Sequence, residues 1–291
     1  VSHQSVDSAP VPSELPAAPD LRMVVVDMDG TLLDGRGEVP DALWPLLRAM
    51  HERGIAFVPA SGRQHATLAR LFDRASEGMP VIAENGTYVA RDGVELASVT
   101  LDRELVITAV ALLRDLAIQG RNLGVVLCGK RSAYVERTDE TFLAEARRYY
   151  VALASVDDLL AVDDDVLKLA IFDFDDAETG TAPSLERFRE THQVVVSGEH
   201  WIDVMAAGVN KGHAVRMLQA ELGVTAAQTA AFGDYLNDLE MLDAADLSFA
   251  MANAHPEVMA RARYTAPSNT DLGVVTTLRA LLGTDGVSPG A

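Results

Sequence analysis

Asp27-Met28-Asp29-Gly30-Thr31-Leu32-Leu33-Asp34 follows directly on the apolar run Met23-Val24-Val25-Val26. A short β-branched run closed by a glycine turn has the pattern of a buried parallel strand. Side chains two apart on an extended chain point the same way, so Asp27 and Asp29 leave the strand's C-terminal end together. In an open α/β sheet, that end is where ligands bind. One carboxylate there can attack an electrophile while the other moves a proton.

Outward from this stretch, strands and helices alternate, the pattern of a parallel sheet covered by helices. A helix is predicted from near Pro40 to Gly54, with Pro45 either in its first turn or kinking it. A second strand covers 55–60, a helix 63–75, and a third strand 81–83. The pattern then changes. Tyr88-Val89-Ala90, Asp92-Gly93 and Val94-Glu95-Leu96 read as a hairpin with a tight turn. A helix with Leu105, Ala109, Leu112, Leu113 and Leu116 on one face follows. Strands near 123–128, 132–136, 166–172, 193–197 and 201–205 and helices near 140–149 and 182–191 complete an α+β block. The doubly wound pattern resumes at Lys211 with a helix, a strand over 229–232, a strand over 247–250 and a helix over 271–282.

The expected fold is therefore α/β: a doubly wound parallel-sheet, Rossmann-like core with an inserted α+β cap. The core takes 21–87 and 207–283, and the cap takes 88–206. Residues 1–20 read as a flexible leader and 284–291 as a loose tail.

Composition narrows the partners. With 48% apolar residues in 291, a sizeable core can form and global disorder is excluded. A formal net charge of −19 argues against nucleic acid and anionic membranes as partners. No apolar run approaches the ~18 residues of a bilayer-spanning helix. Cys128 is the only cysteine, so no intrachain disulfide forms. That fits a reducing compartment, and a cytoplasmic location is expected. The seven histidines lack zinc-site spacing. Asp163-Asp164-Asp165 lacks the glycine and distal glutamate of an EF-hand and reads as a solvated turn. The oligomeric state is left open.

Four features fall in order, each after a predicted core strand or opening a helix. They are Asp27-Met28-Asp29-Gly30-Thr31, Ser61-Gly62-Arg63, Lys211 within Asn210-Lys211-Gly212, and Gly233-Asp234-Tyr235-Leu236-Asn237-Asp238. Alone, Ser61-Gly62-Arg63 reads as a turn with a helix N-cap and Lys211 as a solvated lysine. Together the ordered set resembles the haloacid dehalogenase superfamily of phosphohydrolases. The insert between the second and third features resembles the type-IIB cap of its Cof-like members. Ala83-Glu84-Asn85-Gly86, Cys128-Gly129, Ser132-Ala133-Tyr134-Val135, Asp164-Asp165-Val166-Leu167 and Ser197-Gly198 ahead of Ile202-Asp203 resemble its bacterial sugar phosphatases.

The resemblance implies a Mg²⁺-dependent phosphatase of small phosphorylated metabolites, sugar phosphates foremost. Asp27 would attack phosphorus, and Asp29 would protonate the leaving alkoxide and then deprotonate water. Mg²⁺ would sit on the Asp27 carboxylate, the Asp29 carbonyl and Asp234. Lys211, Ser61, the Gly62 amide at a helix start and Asn237 would bind the phosphoryl oxygens. Thr31, counted with the substrate-binding residues, would shape the turn and hold Asp29, and Asp238 would orient Lys211 or a metal-bound water. Arg63 is either a phosphate-side cation or a surface residue. Other readings are a phosphomutase, a phosphatase of flavin mononucleotide or pyridoxal phosphate, and a non-catalytic phosphosugar sensor. Asp27→Asn is expected to lower hydrolysis of p-nitrophenyl phosphate by orders of magnitude with an unchanged far-UV circular dichroism spectrum. Near-parental turnover would remove Asp27 from the chemistry.

Overall fold

The structure, a computed structural model, describes residues 19–284 apart from Ser76. Most of the leader and tail expected at the two ends therefore lies outside the described residues. No helix among the described residues is long and apolar enough to cross a membrane.

Among the described residues, fourteen strands form two sheets. The core strands are β1 (Met23–Asp27), β2 (Ala56–Ala60), β3 (Pro80–Ala83), β4 (Tyr88–Arg91) and β5 (Val94–Ser98). The insert supplies β6 (Leu123–Gly129), β7 (Ala133–Val135), β8 (Leu153–Ser155), β9 (Val166–Asp173), β10 (His192–Gly198) and β11 (Trp201–Ala206). The chain returns to the core with β12 (Thr229–Gly233), β13 (Leu247–Met251) and β14 (Tyr264–Ala266). The helices are α1 (Leu43–Glu52), α2 (His65–Leu71), α3 (Arg103–Ile118), α4 (Glu140–Tyr149), α5 (Lys211–Leu222), α6 (Leu239–Asp243), α7 (Pro256–Arg261) and α8 (Gly273–Leu282).

The core sheet runs β14-β13-β12-β1-β2-β3-β4-β5. Its first six strands are parallel, and β4 and β5 are antiparallel additions. Val24, Val25 and Val26 of β1 are wholly buried. Each such side chain contributes about 1.5–3 kcal/mol relative to exposure. The chain leaves β1 toward β2 on one side and joins β12 on the other, so the topological switch point lies at β1. Register places Asp27 beside Ala60 and Val26 beside Phe232. The residues that follow these strands, Ser61 and Asp234, therefore emerge next to Asp27.

The cap sheet runs β10-β11-β9-β6-β7-β8 and is antiparallel except for the β7–β8 pair. One apolar cluster joins it to α3 through Leu105, Val110 and Leu113, and a second joins it to α4 through Phe142 and Ala146. All eight residues of β9 are buried.

Several details depart from the sequence expectation. The hairpin assigned to the cap from residue 88 pairs with β3 and extends the core sheet. The cause is the turn Glu84–Gly86, where Glu84, Asn85 and Gly86 all take positive φ and reverse the chain. Pro45 sits in the first turn of α1, which starts at Leu43, so the helix needs no kink. The segment near 182–191 is a 3₁₀ helix over Ala182–Phe188. Short elements with little periodicity, β8, β14, α6 and α7, had no sequence signal. Asp164 is not simply solvated: it accepts hydrogen bonds from the Tyr134 hydroxyl and the Arg131 amide and ties its turn to the cap sheet.

Gly86 has φ +96°, and a Cβ there would lie 2.4 Å from the Asn210 carbonyl oxygen. The turn between β3 and β4 thus presses against the residue that caps α5. Gly86→Ala combines a left-handed backbone with overpacking and is expected to cost about 2–4 kcal/mol. Denaturant unfolding checks this, and an unchanged midpoint would contradict it.

Candidate active site

Asp27 ends β1 and is 6% exposed. Lys211 is the first residue of α5, after Asn210, whose side chain accepts from the His213 amide. That cap fixes the helix start and aims the fully buried Lys211 Nζ at two carboxylates. It donates to Asp27 Oδ1 at 2.5 Å and to Asp238 Oδ1 at 2.7 Å. Asp238 Oδ2 accepts from the amides of Asp234 and Tyr235. Both Asp238 oxygens are therefore occupied in shaping the loop and holding Lys211.

Asp234 follows β12. Its Oδ1 accepts from the Thr31 hydroxyl at 2.8 Å. Gly30 lies beneath it with φ +76°, and a Cβ there would come within 2.2 Å of Asp234 Oδ2. Only glycine leaves room for that carboxylate. Thr31 is 1% exposed and holds Asp234, not Asp29, and it does not line the cleft. The expectation that it binds substrate or holds Asp29 is corrected on that ground. The one-turn kink after β1 turns its hydroxyl inward.

Asp29 is gripped instead by Arg63, whose Nε and terminal nitrogen donate to its two oxygens at 2.7 and 2.6 Å. This two-point geometry fixes a carboxylate's orientation as well as its position. Arg63 is 7% exposed, so it is neither a surface residue nor free to meet a phosphate. It also donates to the Arg148 carbonyl and lies over the Tyr149 ring, both on α4 of the cap.

Ser61 and Gly62 lie in the loop after β2 and line the cleft with Asn237. The Gly62 amide is not at a helix start. α2 begins at His65, because Gln64 is extended and its side-chain amide pairs with the backbone of Ala152 in the cap. Asn237 donates to Asn85 at 3.0 Å. Asp27, Asp29, Ser61, Gly62, Asp234 and Asn237 all open onto one cleft of about 330 Å³ between core and cap. Its cap side carries Tyr149, Phe172, Trp201 and His200.

The carboxylate oxygens of Asp27, Asp234 and Asp238 lie within 4.8 Å of one another. Burial pushes the Asp27 carboxyl up to about 7, with the Asp238 charge adding to the effect and Lys211 opposing it. Burial and the charges of Asp27 and Asp238 push Asp234 up to about 9. Three carboxylates share one ammonium, an excess of negative charge that a hard dication would offset. Among the described residues, Oδ2 of Asp27 and Oδ2 of Asp234 accept no hydrogen bond. This donor set fits Mg²⁺ on Asp27 and Asp234.

A sequence profile described as haloacid dehalogenase-like hydrolase matches residues 24–278. The chain belongs to the haloacid dehalogenase-like hydrolases. It is 32% identical over 258 residues to an Escherichia coli 5-amino-6-(5-phospho-D-ribitylamino)uracil phosphatase, covering 88% of this chain and 94% of that protein. It is 28% identical over 242 residues to an HMP-PP phosphatase of Cronobacter sakazakii, covering 82% of this chain and 87% of that one. A crystal structure from Streptococcus mutans superposes with a TM-score of 0.83 at 26% identity, covering 90% of this chain and 99% of that one. Like the E. coli and Cronobacter proteins, it is a phosphatase, of the Cof-like branch.

Among residues that sequence reasoning left undecided or passed over, Arg63, Gln64, Glu84, Asn85 and Lys168 matter most. Arg63 followed Ser61-Gly62, Glu84 and Asn85 fell in the Ala83–Gly86 string, and Lys168 stands as the one charge inside the apolar strand Val166-Leu167-Lys168-Leu169-Ala170-Ile171-Phe172.

The raised carboxyls give the pH dependence its sign. Their protons bind more tightly in the folded chain than in the unfolded one, so the ion-free fold loses stability as pH rises from about 4 through about 7 and 9. A dication needs both groups ionised and displaces those protons. The Mg²⁺-induced rise in melting temperature is thus expected to be larger near pH 8 than near pH 6. An equal or larger rise at the lower pH, by differential scanning fluorimetry, would contradict the metal assignment.

Proposed function

We propose that the protein is a Mg²⁺-dependent phosphomonoester hydrolase of small phosphorylated metabolites, with sugar phosphates and phosphorylated polyols as its substrate class. The observation that carries this reading is the pairing of a buried Asp27 with Lys211 beside Asp234, at the floor of an enclosed cleft.

In this reading, the Asp27 carboxylate attacks phosphorus, the bond to the leaving alkoxide breaks, and an aspartyl phosphate forms. Asp29 gives its proton to the alkoxide, then takes one from the water that attacks the same phosphorus. That second attack releases inorganic phosphate and regenerates Asp27. Lys211, Ser61, the Gly62 amide and Asn237 bind the phosphoryl oxygens. Mg²⁺, held by Asp27 and Asp234 with the Asp29 carbonyl as a third donor, supplies charge neutralisation. Asp238 serves by holding Lys211. The Arg63 pair fixes the orientation of Asp29, and the acid role asks the carboxyl to turn from Arg63 to the leaving oxygen.

The aromatic wall of Tyr149, Phe172 and Trp201 favours a second, narrower reading. Such a wall suits a leaving group that carries a flat ring. The E. coli relative is named for a uracil-bearing ribityl phosphate.

EDTA is expected to silence hydrolysis of p-nitrophenyl phosphate, and Mg²⁺ to restore it. A panel of sugar phosphates, flavin mononucleotide, pyridoxal phosphate and pyrimidine-bearing phosphates then ranks substrates by kcat/KM. Full activity without divalent metal would overturn the metal role. Isomerised sugar phosphate without release of inorganic phosphate would indicate a mutase, and inertness toward the whole panel a sensor.

A further inference from the structure

Lys168 lies on β9 of the cap and is 1% exposed, yet it touches the core. Its Nζ donates to the Gly62 carbonyl at 2.6 Å. It also pairs with Glu84 of the core at 3.1 Å and with Asp203 of cap strand β11 at 3.0 Å. Glu84 and Asp203 are each 1% exposed. Beyond Lys168, neither Glu84 side-chain oxygen has a hydrogen-bond donor among the described residues. Asp203 accepts in turn from Asn85 at 2.5 Å, and Asn85 accepts from Asn237 at 3.0 Å.

The network thus ends on two groups of the cleft. Gly62 and Asn237 are both assigned above to the phosphoryl oxygens, and both are held by contacts that begin at one cap lysine. The mechanism uses neither Lys168 nor Glu84. A buried ion pair replaceable by apolar side chains is weak evidence for stability. Here the ammonium also holds the carbonyl of the Gly62–Arg63 peptide, whose N–H, that of Arg63, donates to Ser61 Oγ at 3.1 Å.

We propose that Lys168 is a positioning residue of the phosphoryl site, fixing the Gly62 carbonyl directly, the Ser61 hydroxyl through the peptide that carbonyl belongs to, and the Asn237 amide through Asp203 and Asn85, so that the site is complete only with the cap seated. This rests on the phosphatase reading above. Separating cap from core would pull Lys168 from Glu84 and Gly62 together. Two carboxylates would then be left without their cation. Cap seating and phosphoryl binding are thereby linked, each favouring the other.

The test uses the full chain with Mg²⁺ and reads inhibition by orthophosphate, turnover of p-nitrophenyl phosphate, and melting temperature. The variants are Lys168→Met, Lys168→Met/Glu84→Gln, which leaves no stranded Glu84 charge, and Phe142→Leu, which loosens the packing of α4 on the cap sheet without removing any group of the network. Both Lys168 variants are expected to raise the orthophosphate inhibition constant about tenfold or more and lower kcat/KM by a similar factor. The double variant should regain melting temperature without regaining either constant. Phe142→Leu should lose melting temperature and keep the inhibition constant within about twofold. Lys168 variants with parental constants overturn the proposal, as does an equal loss of phosphate affinity in Phe142→Leu. If neither Lys168 variant folds, Asp203→Asn is judged by the same constants, a rise of about threefold or more supporting the proposal and a smaller one overturning it. A parent chain that neither hydrolyses the aryl phosphate nor binds orthophosphate would instead overturn the phosphatase reading itself.

Discussion

The Lys211 ammonium lies between the carboxylates of Asp27 and Asp238, with Asp234 alongside, in a site closed to water on most sides. Charges so placed cannot be left unpaired, because the low-dielectric surroundings magnify each imbalance. The neighbouring structure follows from that constraint. Asn210 caps α5 so that Lys211 points inward. Two backbone amides hold Asp238. Gly30 omits a side chain so that Asp234 can approach. The charge that remains uncompensated is what a dication would offset, and the proposed function rests on that excess.

An overall charge of −19 opposes the approach of a phosphate. The answer is local. Lys211 is paired with Asp27 and Asp238, Arg63 with Asp29, and Lys168 with Glu84 and Asp203. Among the described residues the cations named here each have a carboxylate partner, and the cap side of the cleft adds the aromatic rings of Tyr149, Phe172 and Trp201. The same economy explains why the cap matters beyond shielding. Arg63, Gln64 and Thr67 all reach the backbone of the α4–β8 segment. The loop that carries Ser61 and Gly62 is thereby shaped from both sides.

Much of this was legible in the chain. The β-branched run before Asp27 is buried on both faces and can only be a central strand. The order of the four short features around an insert is a linear property, and it carried the resemblance that the family match bears out. The amphipathic faces of α3 and α5 were readable for the same reason. Elsewhere local pattern was silent. The hairpin of β4 and β5 has the same alternation whether it joins one sheet or the other, and the left-handed turn over Glu84–Gly86 decides which. Thr31 sits two residues from Asp29 in sequence but donates to Asp234, more than two hundred residues away.

The sequence by itself determined the fold class, the insert and the residue types available for phosphoryl chemistry, because strand periodicity, helix caps and glycine turns are written in neighbouring residues. Only the tertiary structure decided the partnerships: Arg63 with Asp29, Thr31 with Asp234, and Lys168 with Gly62 and Glu84. Those depend on where distant strands end in register and on which charges share a space that water cannot reach. No stretch of neighbouring residues encodes such distances.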